Sequence, residues 1–240
     1  MCGRYTITIS IEELLLRFHI DGEFTLYHRP RYNVAPGQLI PAVIHDGRRN
    51  RIGELRWGLV PSWAKDESGA AKMINARAET VAEKPAYRLP FERKRCLVPA
   101  DGFYEWKKTN GGKSKQPMRI TRKDEAPFAM AGLYDTWTAP DGRKVSTCTI
   151  ITTTPNRLMA DIHDRMPVIL RPEHEAVWLD RGTRDAALLL DMLKPFPAEL
   201  MRAYPVAPGV GNVNNDGPEL VREVAVGAAP SFGAVPETGE

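Results

Sequence analysis

Short turns between strand-like segments constrain the fold of this chain more than any other sequence feature. Asn110-Gly111-Gly112 and Pro140-Asp141-Gly142 are turn sequences, and the segments beside them are rich in β-branched and aromatic residues. Strands joined by such short turns pair antiparallel, because a parallel pair needs a long crossover connection. The pattern predicts strands at residues 96–99, 103–107, 116–121, 128–137 and 144–153.

The rest of the chain adds a further hairpin and several short helices. Asp46-Gly47 separates strand-like segments at 39–45 and 51–57, and the spacing of Ser10 and Glu13 is that of a capping box for a helix over 11–18. The other predicted elements are helices at 84–91, 172–179 and 183–193 and strands at 168–170 and 204–207. We therefore predict one α+β domain over residues 1–226 with a mainly antiparallel sheet, followed by a disordered tail over 227–240.

Composition excludes some classes of function. The 240 residues contain no apolar run near the roughly 20 residues of a membrane span, and we see no secretory signal. The net charge of +3 permits a local nucleic-acid groove without requiring one. Three cysteines without zinc or CxxC spacing suit a reducing compartment. We expect a cytoplasmic protein without a metal or other cofactor, in which Cys96 and Cys148 are inert core residues.

Cys2 is the residue with the most unusual chemistry. Removal of Met1 would place an α-amine and a thiol on one residue, and both groups have reference pKa values near neutral, about 7.7 and about 8.5. An aldehyde can form a Schiff base with that amine and then close to a thiazolidine through the thiol. An amide or thioester would instead meet a thiol nucleophile with its own amine as base. A chance cysteine is the simpler interpretation of Cys2 taken alone.

Two further residues suit proton transfer. Glu105 lies between Tyr104 and Trp106 in an otherwise apolar strand, so it is either paired with another group, solvated on the outer face, or a pocket carboxyl with a raised pKa. Alternation places it on the same face as Phe103, which favours the pocket weakly. His163 precedes a predicted strand and can exchange protons near neutral pH, although a surface or capping histidine is the alternative.

Polar and aromatic residues elsewhere could contact a substrate. Asn75 can orient a hydroxyl or hold an oxyanion, and Arg4 and Arg77 can bind phosphates with two hydrogen bonds each. Surface salt bridges are the alternative for both arginines. Trp63 and Trp106 can stack on bases, although tryptophan is more often simply packed in a core.

Seven segments in succession resemble the motifs of one family. They are MCGR at 1–4, RYNVAPG at 31–37, WGLVPSW at 57–63, INARAET at 74–80, residues 96–106, IHDRMP at 162–167 and residues 212–220. The family is SRAP, the SOS-response-associated peptidase proteins that shield abasic sites in single-stranded DNA. The resemblance covers residues 1 to about 221. It implies a compact α+β domain of barrel-like antiparallel sheets with peripheral helices, acting as a monomer on single-stranded DNA and not on membranes.

The resemblance also implies a mechanism. The Cys2 amine attacks the ring-opened aldehyde of an abasic deoxyribose, and the thiol closes a thiazolidine crosslink. Glu105 matches the acid–base carboxylate of the family. His163 matches the histidine near the sugar, and Asn75 matches the asparagine that positions the amine or the sugar. The expected location is cytoplasmic, and with the nucleoid when DNA is bound.

The resemblance implies a DNA-contacting set as well. Arg4 and Arg77 match residues that hold phosphates beside the lesion. Trp106, Pro36 and Thr152 fall where the family borders the nucleic acid, and Trp63 is a further stacking candidate. Asn214 and Pro85 stand where members of the family can carry basic residues, and these two departures predict weaker DNA affinity with unchanged chemistry.

Other functions would use the same residues differently. Class II glutamine amidotransferases also begin with Met-Cys-Gly, but we find neither their glutamine-binding motifs nor an acceptor domain. An N-terminal thiol autopeptidase and a lyase-type activity are enzymatic alternatives that keep Cys2. A non-covalent single-stranded DNA-binding module, in which Cys2 is incidental, is the non-enzymatic alternative.

Overall fold

The computed structural model describes residues 2–22, 24 and 26–225, so the tail predicted at 227–240 lies outside the described residues. The described residues contain the following strands: β1 Tyr5–Ile7, β2 Arg31–Val34, β3 Leu39–His45, β4 Asn50–Trp57, β5 Asn75–Arg77, β6 Arg95–Ala100, β7 Gly102–Thr109, β8 Ser114–Arg122, β9 Phe128–Thr138, β10 Lys144–Thr153, β11 Met166–Pro167, β12 Ile169–Leu170 and β13 Met201–Pro205. The α-helices are α1 Ile11–Arg17, α2 Pro85–Arg93, α3 Arg157–Ala160, α4 Pro172–Leu179 and α5 Ala186–Asp191.

Five of these strands pair in a ring and form a closed barrel. The order around the ring is β10, β4, β3, β6 and β9, and β9 pairs with β10 again. All neighbours are antiparallel except β4 and β10, which run parallel with Cys148 opposite Trp57. Closure removes the exposed edges that an open sheet would present. The barrel-like fold with mainly antiparallel pairing is therefore confirmed.

A second sheet packs beside the barrel and carries the start of the chain. Its five strands are antiparallel in the order β13-β8-β7-β1-β2. β6 of the barrel continues into β7 of this sheet through Asp101. The ring of Tyr5 in β1 packs edge-on against Trp57 at the end of β4, with the ring centroids 5.6 Å apart. These two links fix the start of the chain against the barrel.

Helices α2 and α4 pack against strands β6 and β9 of the barrel. Trp178 of α4 is fully buried, packs against Phe91 of α2 and donates from its indole N–H to the carbonyl of Cys96, 3.0 Å away. Arg95, at the start of β6, donates to five backbone carbonyls, including those of Phe91 and Trp178. None of the helices in the described part of the chain is long and apolar enough to cross a membrane.

Most predicted elements are present with small changes of length. The capping box of α1 is confirmed, because the Ser10 side chain accepts from the Glu13 N–H and the Glu13 carboxylate accepts from the Ser10 N–H. The predicted helix 183–193 is wrong at its start: the Asp185 carboxylate caps a shorter α5 by accepting from two backbone N–H groups. The strand predicted at 204–207 begins earlier, as β13, because all five of its residues pair with β8.

The strand predicted at 168–170 is shorter in the structure, as β12, and a second short strand, β11, precedes it. Val168 lies between them and bridges two strands of the barrel. Its N–H donates to the carbonyl of Ile151 in β10, and its carbonyl accepts from Ala131 in β9. β11 pairs with β10, and β12 pairs with β9. The segment that follows His163 is thereby fixed against the barrel.

Candidate active site at the start of the chain

The pairing of β1 with β7 brings Cys2 to Glu105. Tyr5 pairs with Phe103, and the backbone N–H of Tyr104 donates to the carbonyl of Arg4 over 2.9 Å. Continuing this antiparallel register places Gly3 opposite Glu105 and Cys2 opposite the next residue, Trp106. Cys2 is fully buried, and burial together with the negative charge of Glu105 raises the pKa of its thiol. The thiol is therefore protonated near neutral pH.

Glu105 is a buried carboxyl without full hydrogen bonding. The residue is 2% exposed, so it is not a solvated strand carboxylate. Burial is the main cause that raises its pKa from 4.5 to about 8, and the nearby charge of Asp164 acts in the same direction. Its Oε1 atom has no hydrogen-bond partner among the described residues. A carboxyl in this state is neutral at pH 7 and can both donate and accept a proton near that pH.

His163 faces the other oxygen of Glu105. Its Nε2 atom lies 3.8 Å from Glu105 Oε2, while its Nδ1 atom accepts from the backbone N–H of Arg165 over 3.0 Å. The Asp164 carboxylate is also 3.0 Å from Nδ1, but its side chain is 88% exposed and water screens its charge. Burial is the main cause that lowers the pKa of His163. The Nδ1 atom also lies 3.3 Å from the carbonyl of Arg165. In the tautomer that accepts from the Arg165 N–H at Nδ1, the neutral imidazole carries its proton on Nε2, toward Glu105.

The loop of His163 is tied to two strands by Arg165. The Arg165 guanidinium donates to both carboxylate oxygens of Glu79, over 2.6 and 2.9 Å, and to the carbonyl of Thr152, over 2.7 Å. Thr152 is the parallel partner of Arg77 in β5. A planar guanidinium held at three acceptors has little freedom. The ion pair therefore holds His163 in register with β5 and β10.

Asn75 has an unpartnered oxygen, as Glu105 does. Its side-chain N–H₂ donates weakly to the carbonyl of Ile150 over 3.4 Å, and its buried Oδ1 atom has no partner within the described residues. The carbonyl of the preceding Ile74 accepts from the indole N–H of Trp57, the same ring that packs against Tyr5. Two buried acceptors without donors, on Asn75 and Glu105, are what an incoming amine or hydroxyl would satisfy.

Arg4 is largely occupied by contacts within the protein. It donates to Asn33 Oδ1 over 2.8 Å and to the carbonyls of Val210 and Gly211 over 2.6 and 3.2 Å. Its guanidinium also lies 6.0 Å from the ring centroid of Trp106. A guanidinium has five N–H donors, so donors remain for one further acceptor. Sequence reasoning did not single out Asn33. Its side-chain amide holds Arg4 because it is itself hydrogen-bonded to backbone carbonyls of residues 210–215, far along the chain.

A cavity of about 610 Å³ opens beside Glu105 and His163. Trp106 and residues 160–164 line it, together with Lys108 and Lys115, which sequence reasoning did not single out. The sequence does hold a signal for these two lysines. The turn over residues 110–113 places residues at equal distances on either side of it opposite each other, which pairs Lys108 with Lys115.

Pro36 and Trp63 line two other depressions and not this cavity. Pro36 lines one of about 490 Å³ that also includes Trp57 and Ile74, the neighbour of Asn75. Trp63 is 67% exposed and lines a depression of about 190 Å³. Ala70 borders both depressions, so the two adjoin each other. The predicted contacts thus fall into one group at the cavity and a second group near β4 and β5.

The other two cysteines lie in the core, as the sequence predicts. Cys96 and Cys148 are fully buried in the barrel, and burial raises the pKa of both thiols. Within residues 2–22, 24 and 26–225, no three His, Cys, Asp or Glu side chains are grouped as a metal site would require.

Comparisons with known proteins identify the family. Residues 1–213 match the model for the SOS response associated peptidase family, SRAP. The chain belongs to this family. It is similar to the abasic site processing protein YoqW of Bacillus subtilis, with 52% identity over 226 residues that cover 92% of this chain and 99% of the relative. The abasic site processing protein HMCES of Rattus norvegicus is 34% identical over 231 residues, or 80% of this chain and 64% of that protein.

Solved structures support the same fold. A crystal structure of a protein from Bacteroides thetaiotaomicron aligns with a TM-score of 0.82 and 30% identity, over 93% of this chain and all of that one. A protein from Bordetella bronchiseptica aligns with a TM-score of 0.72 and 27% identity, over 86% of this chain. The resemblance that the sequence motifs indicate is therefore confirmed at the level of family and fold.

Proposed function

We propose that this chain recognises abasic sites in single-stranded DNA and, once Met1 is removed, forms a thiazolidine crosslink with the lesion through Cys2. Relatives in two kingdoms, from Bacillus subtilis and Rattus norvegicus, are named abasic site processing proteins. The observation that carries the chemical part of the proposal is Glu105. It is a buried carboxyl with an unpartnered oxygen and a pKa of about 8, next to Cys2.

The protonation states support attack by the amine before the thiol. The raised pKa keeps the buried Cys2 thiol protonated, so the uncharged α-amine is the better nucleophile near neutral pH. The amine adds to the sugar aldehyde and gives a carbinolamine. Protonated Glu105 then donates its proton to the departing hydroxyl, which leaves as water, and an iminium ion remains beside the Glu105 carboxylate.

Ring closure returns Glu105 to its protonated form. The Cys2 sulfur adds to the iminium carbon, and its proton passes to the Glu105 carboxylate, so that Glu105 is protonated again. The sum of the steps is one aldehyde and one aminothiol giving one thiazolidine and one water. Glu105 acts first as an acid and then as a base, and a pKa near the working pH suits both roles.

The other predicted residues receive supporting roles in the proposal. Asn75 Oδ1 accepts from the Cys2 amine or a sugar hydroxyl, and the Nε2 proton of His163 assists opening of the sugar ring. Arg77, which is exposed, holds a phosphate, and Arg4 uses its remaining donors for another. Trp106, Pro36, Thr152 and Trp63 border the strand. Phosphate contacts and stacking make such binding tolerant of sequence and sensitive to salt.

A thiol peptidase activity has less support from the site. Peptide-bond cleavage by Cys2 needs a thiolate, and burial, the main cause of the raised thiol pKa, opposes thiolate formation. A lyase-type reaction would proceed through the same iminium ion, so it would compete with ring closure for that intermediate.

The test is intact mass spectrometry after incubation with a single-stranded oligonucleotide carrying one abasic site. Protein verified by mass to begin at Cys2 is expected to give a denaturation-resistant adduct of protein plus oligonucleotide minus one water. Cys2→Ala is expected to give none. Cys2→Ser keeps the amine and is expected to give only an adduct that requires borohydride reduction.

Two controls locate the chemistry. A tetrahydrofuran analogue lacks the aldehyde and is expected to give no adduct, and protein that retains Met1 is expected to give none because the Cys2 nitrogen is then an amide. Absence of an adduct from protein that begins at Cys2 would refute the covalent proposal. Retention of the tetrahydrofuran strand in a native gel would then identify a non-covalent binding module.

A further inference from the structure

Two lysines face each other across the hairpin of β7 and β8. Lys108 and Lys115 are paired residues in the antiparallel register, and both side chains are exposed. Like charges directly opposite each other on a sheet are destabilising. No described side chain forms an ion pair or hydrogen bond with either ammonium group. The hairpin thus presents two adjacent positive charges without an ion-pair partner among the described residues, and the carboxylates of Asp161 and Asp164 line the same cavity as the two lysines.

The paired lysines border the candidate active site. Both line the cavity of about 610 Å³ that Glu105, Trp106 and His163 also line. The positive charge of Lys108 is one of the smaller causes, after burial, that lower the pKa of His163. Its ammonium group therefore lies within electrostatic range of the imidazole. Two cations at the mouth of a cavity attract an anion to that position.

We propose that Lys108 and Lys115 together bind one phosphodiester of the DNA strand that enters this cavity, and so set the position of the lesion relative to Glu105 and His163. The inference rests on the proposed function and adds a phosphate site that neither Arg4 nor Arg77 supplies. A lysine is a point charge with three rotatable donors, so a pair of them can hold a phosphate that shifts as the sugar ring opens.

The binding experiment uses an oligonucleotide with a tetrahydrofuran residue, which cannot crosslink, so that binding is measured apart from chemistry. The variants are Lys108→Gln, Lys115→Gln and the double variant. Lys123→Gln is the matched control, because Lys123 is exposed and follows the other end of β8. We expect the double variant to bind about tenfold more weakly at 0.1 M salt, and the magnitude of the slope of log K against log salt to fall by about 0.7, the value for one single-strand phosphate. The control is expected to match the wild type.

Neutral methylphosphonate linkages, placed one at a time along the strand, locate the phosphate. One position is expected to weaken binding about tenfold in the wild type and to have no effect in the double variant. An unchanged salt slope, or the same methylphosphonate profile in both proteins, would refute the paired-lysine site. Crosslinking of wild-type protein to a natural abasic site is measured in parallel. Its absence refutes the covalent proposal and leaves the binding result to be judged separately.

Discussion

Two buried carboxyl groups, four residues apart at the start of β7, differ in how the protein satisfies them. Asp101 accepts from the Thr6 hydroxyl, from both the N–H and the hydroxyl of Thr8, and from the Arg119 guanidinium. Glu105 has one oxygen without a partner and the other 3.8 Å from His163. Both residues are less than a tenth exposed, at 7% and 2%.

The difference separates a structural carboxylate from a reactive one. A buried charge is tolerated when hydrogen bonds and an opposite charge replace the water it has lost, which is the situation of Asp101. Glu105 has fewer such replacements, so burial outweighs the nearby positive charge of the N-terminus and one backbone hydrogen bond, and raises its pKa to about 8. Unsatisfied buried groups reduce stability, and proteins retain them where a substrate supplies the missing partner.

The first prediction concerns Asp101. Asp101→Asn removes the charge that faces Arg119 and disturbs four accepted hydrogen bonds. We expect it to lower the free energy of unfolding by about 3 kcal/mol. Urea denaturation at pH 7 measures this, and Asp141→Asn, in an exposed turn, is the control. A loss below about 0.5 kcal/mol would show that the two carboxyl groups do not differ as described.

The second prediction concerns the stability of Glu105→Gln. The folded pKa of about 8 exceeds the ordinary value of 4.5, so the native state holds the proton more tightly than the unfolded chain does. Stability from this group is complete below pH 4.5 and is lost as the pH rises through 8. Glu105→Gln should therefore be more stable than wild type by at least about 2 kcal/mol at pH 9, with little difference at pH 4.5. Exposed Glu54→Gln should show no such trend.

The same variant sharpens the chemical side of the comparison. An amide cannot pass a proton to the leaving hydroxyl, so Glu105→Gln should slow crosslinking by about 100-fold while binding of a tetrahydrofuran strand is retained. In the wild type the rate should fall as the pH rises above 8, because the acid form of Glu105 is lost. Denaturing gels of reactions quenched at successive times, between about pH 6 and pH 9, measure both the effect of the substitution and the pH dependence. A rate that is unaffected by the substitution would assign Glu105 a structural role.

The smallest expected effect concerns the ion pair between Glu79 and Arg165, which positions His163. Glu79→Gln weakens the paired hydrogen bonds to Arg165, and because Glu79 is nearly half exposed, the loss of stability should be about 0.5 kcal/mol. The crosslinking rate should fall about threefold, since His163 is held less firmly. Glu83→Gln, exposed in the same segment, is the control. Equal crosslinking rates for the two variants would show that the Glu79–Arg165 ion pair does not affect the reaction.

Local sequence signals were enough for most of the secondary structure. The hairpin of β3 and β4, the capping box of α1 and the hairpin of β9 and β10 lie where the sequence predicts them. Each depends on residues close together in the chain. Prediction was wrong at the start of α5, where the Asp185 side chain caps the helix, and at β13, where pairing with distant β8 sets the bounds. The family was also predictable, because its motifs are short and continuous.

The sequence by itself determined the hairpin turns with their flanking strands, the family and the position of Cys2 beside Met1. Only the tertiary structure decided three other features: closure of the barrel by parallel β4 and β10, the raised pKa of Glu105, and the engagement of Arg4 by Asn33 and Val210. The physical reason is range. Turn and capping preferences arise between neighbours in the chain, whereas burial, charge and hydrogen bonding at a site depend on groups that folding brings together from distant positions.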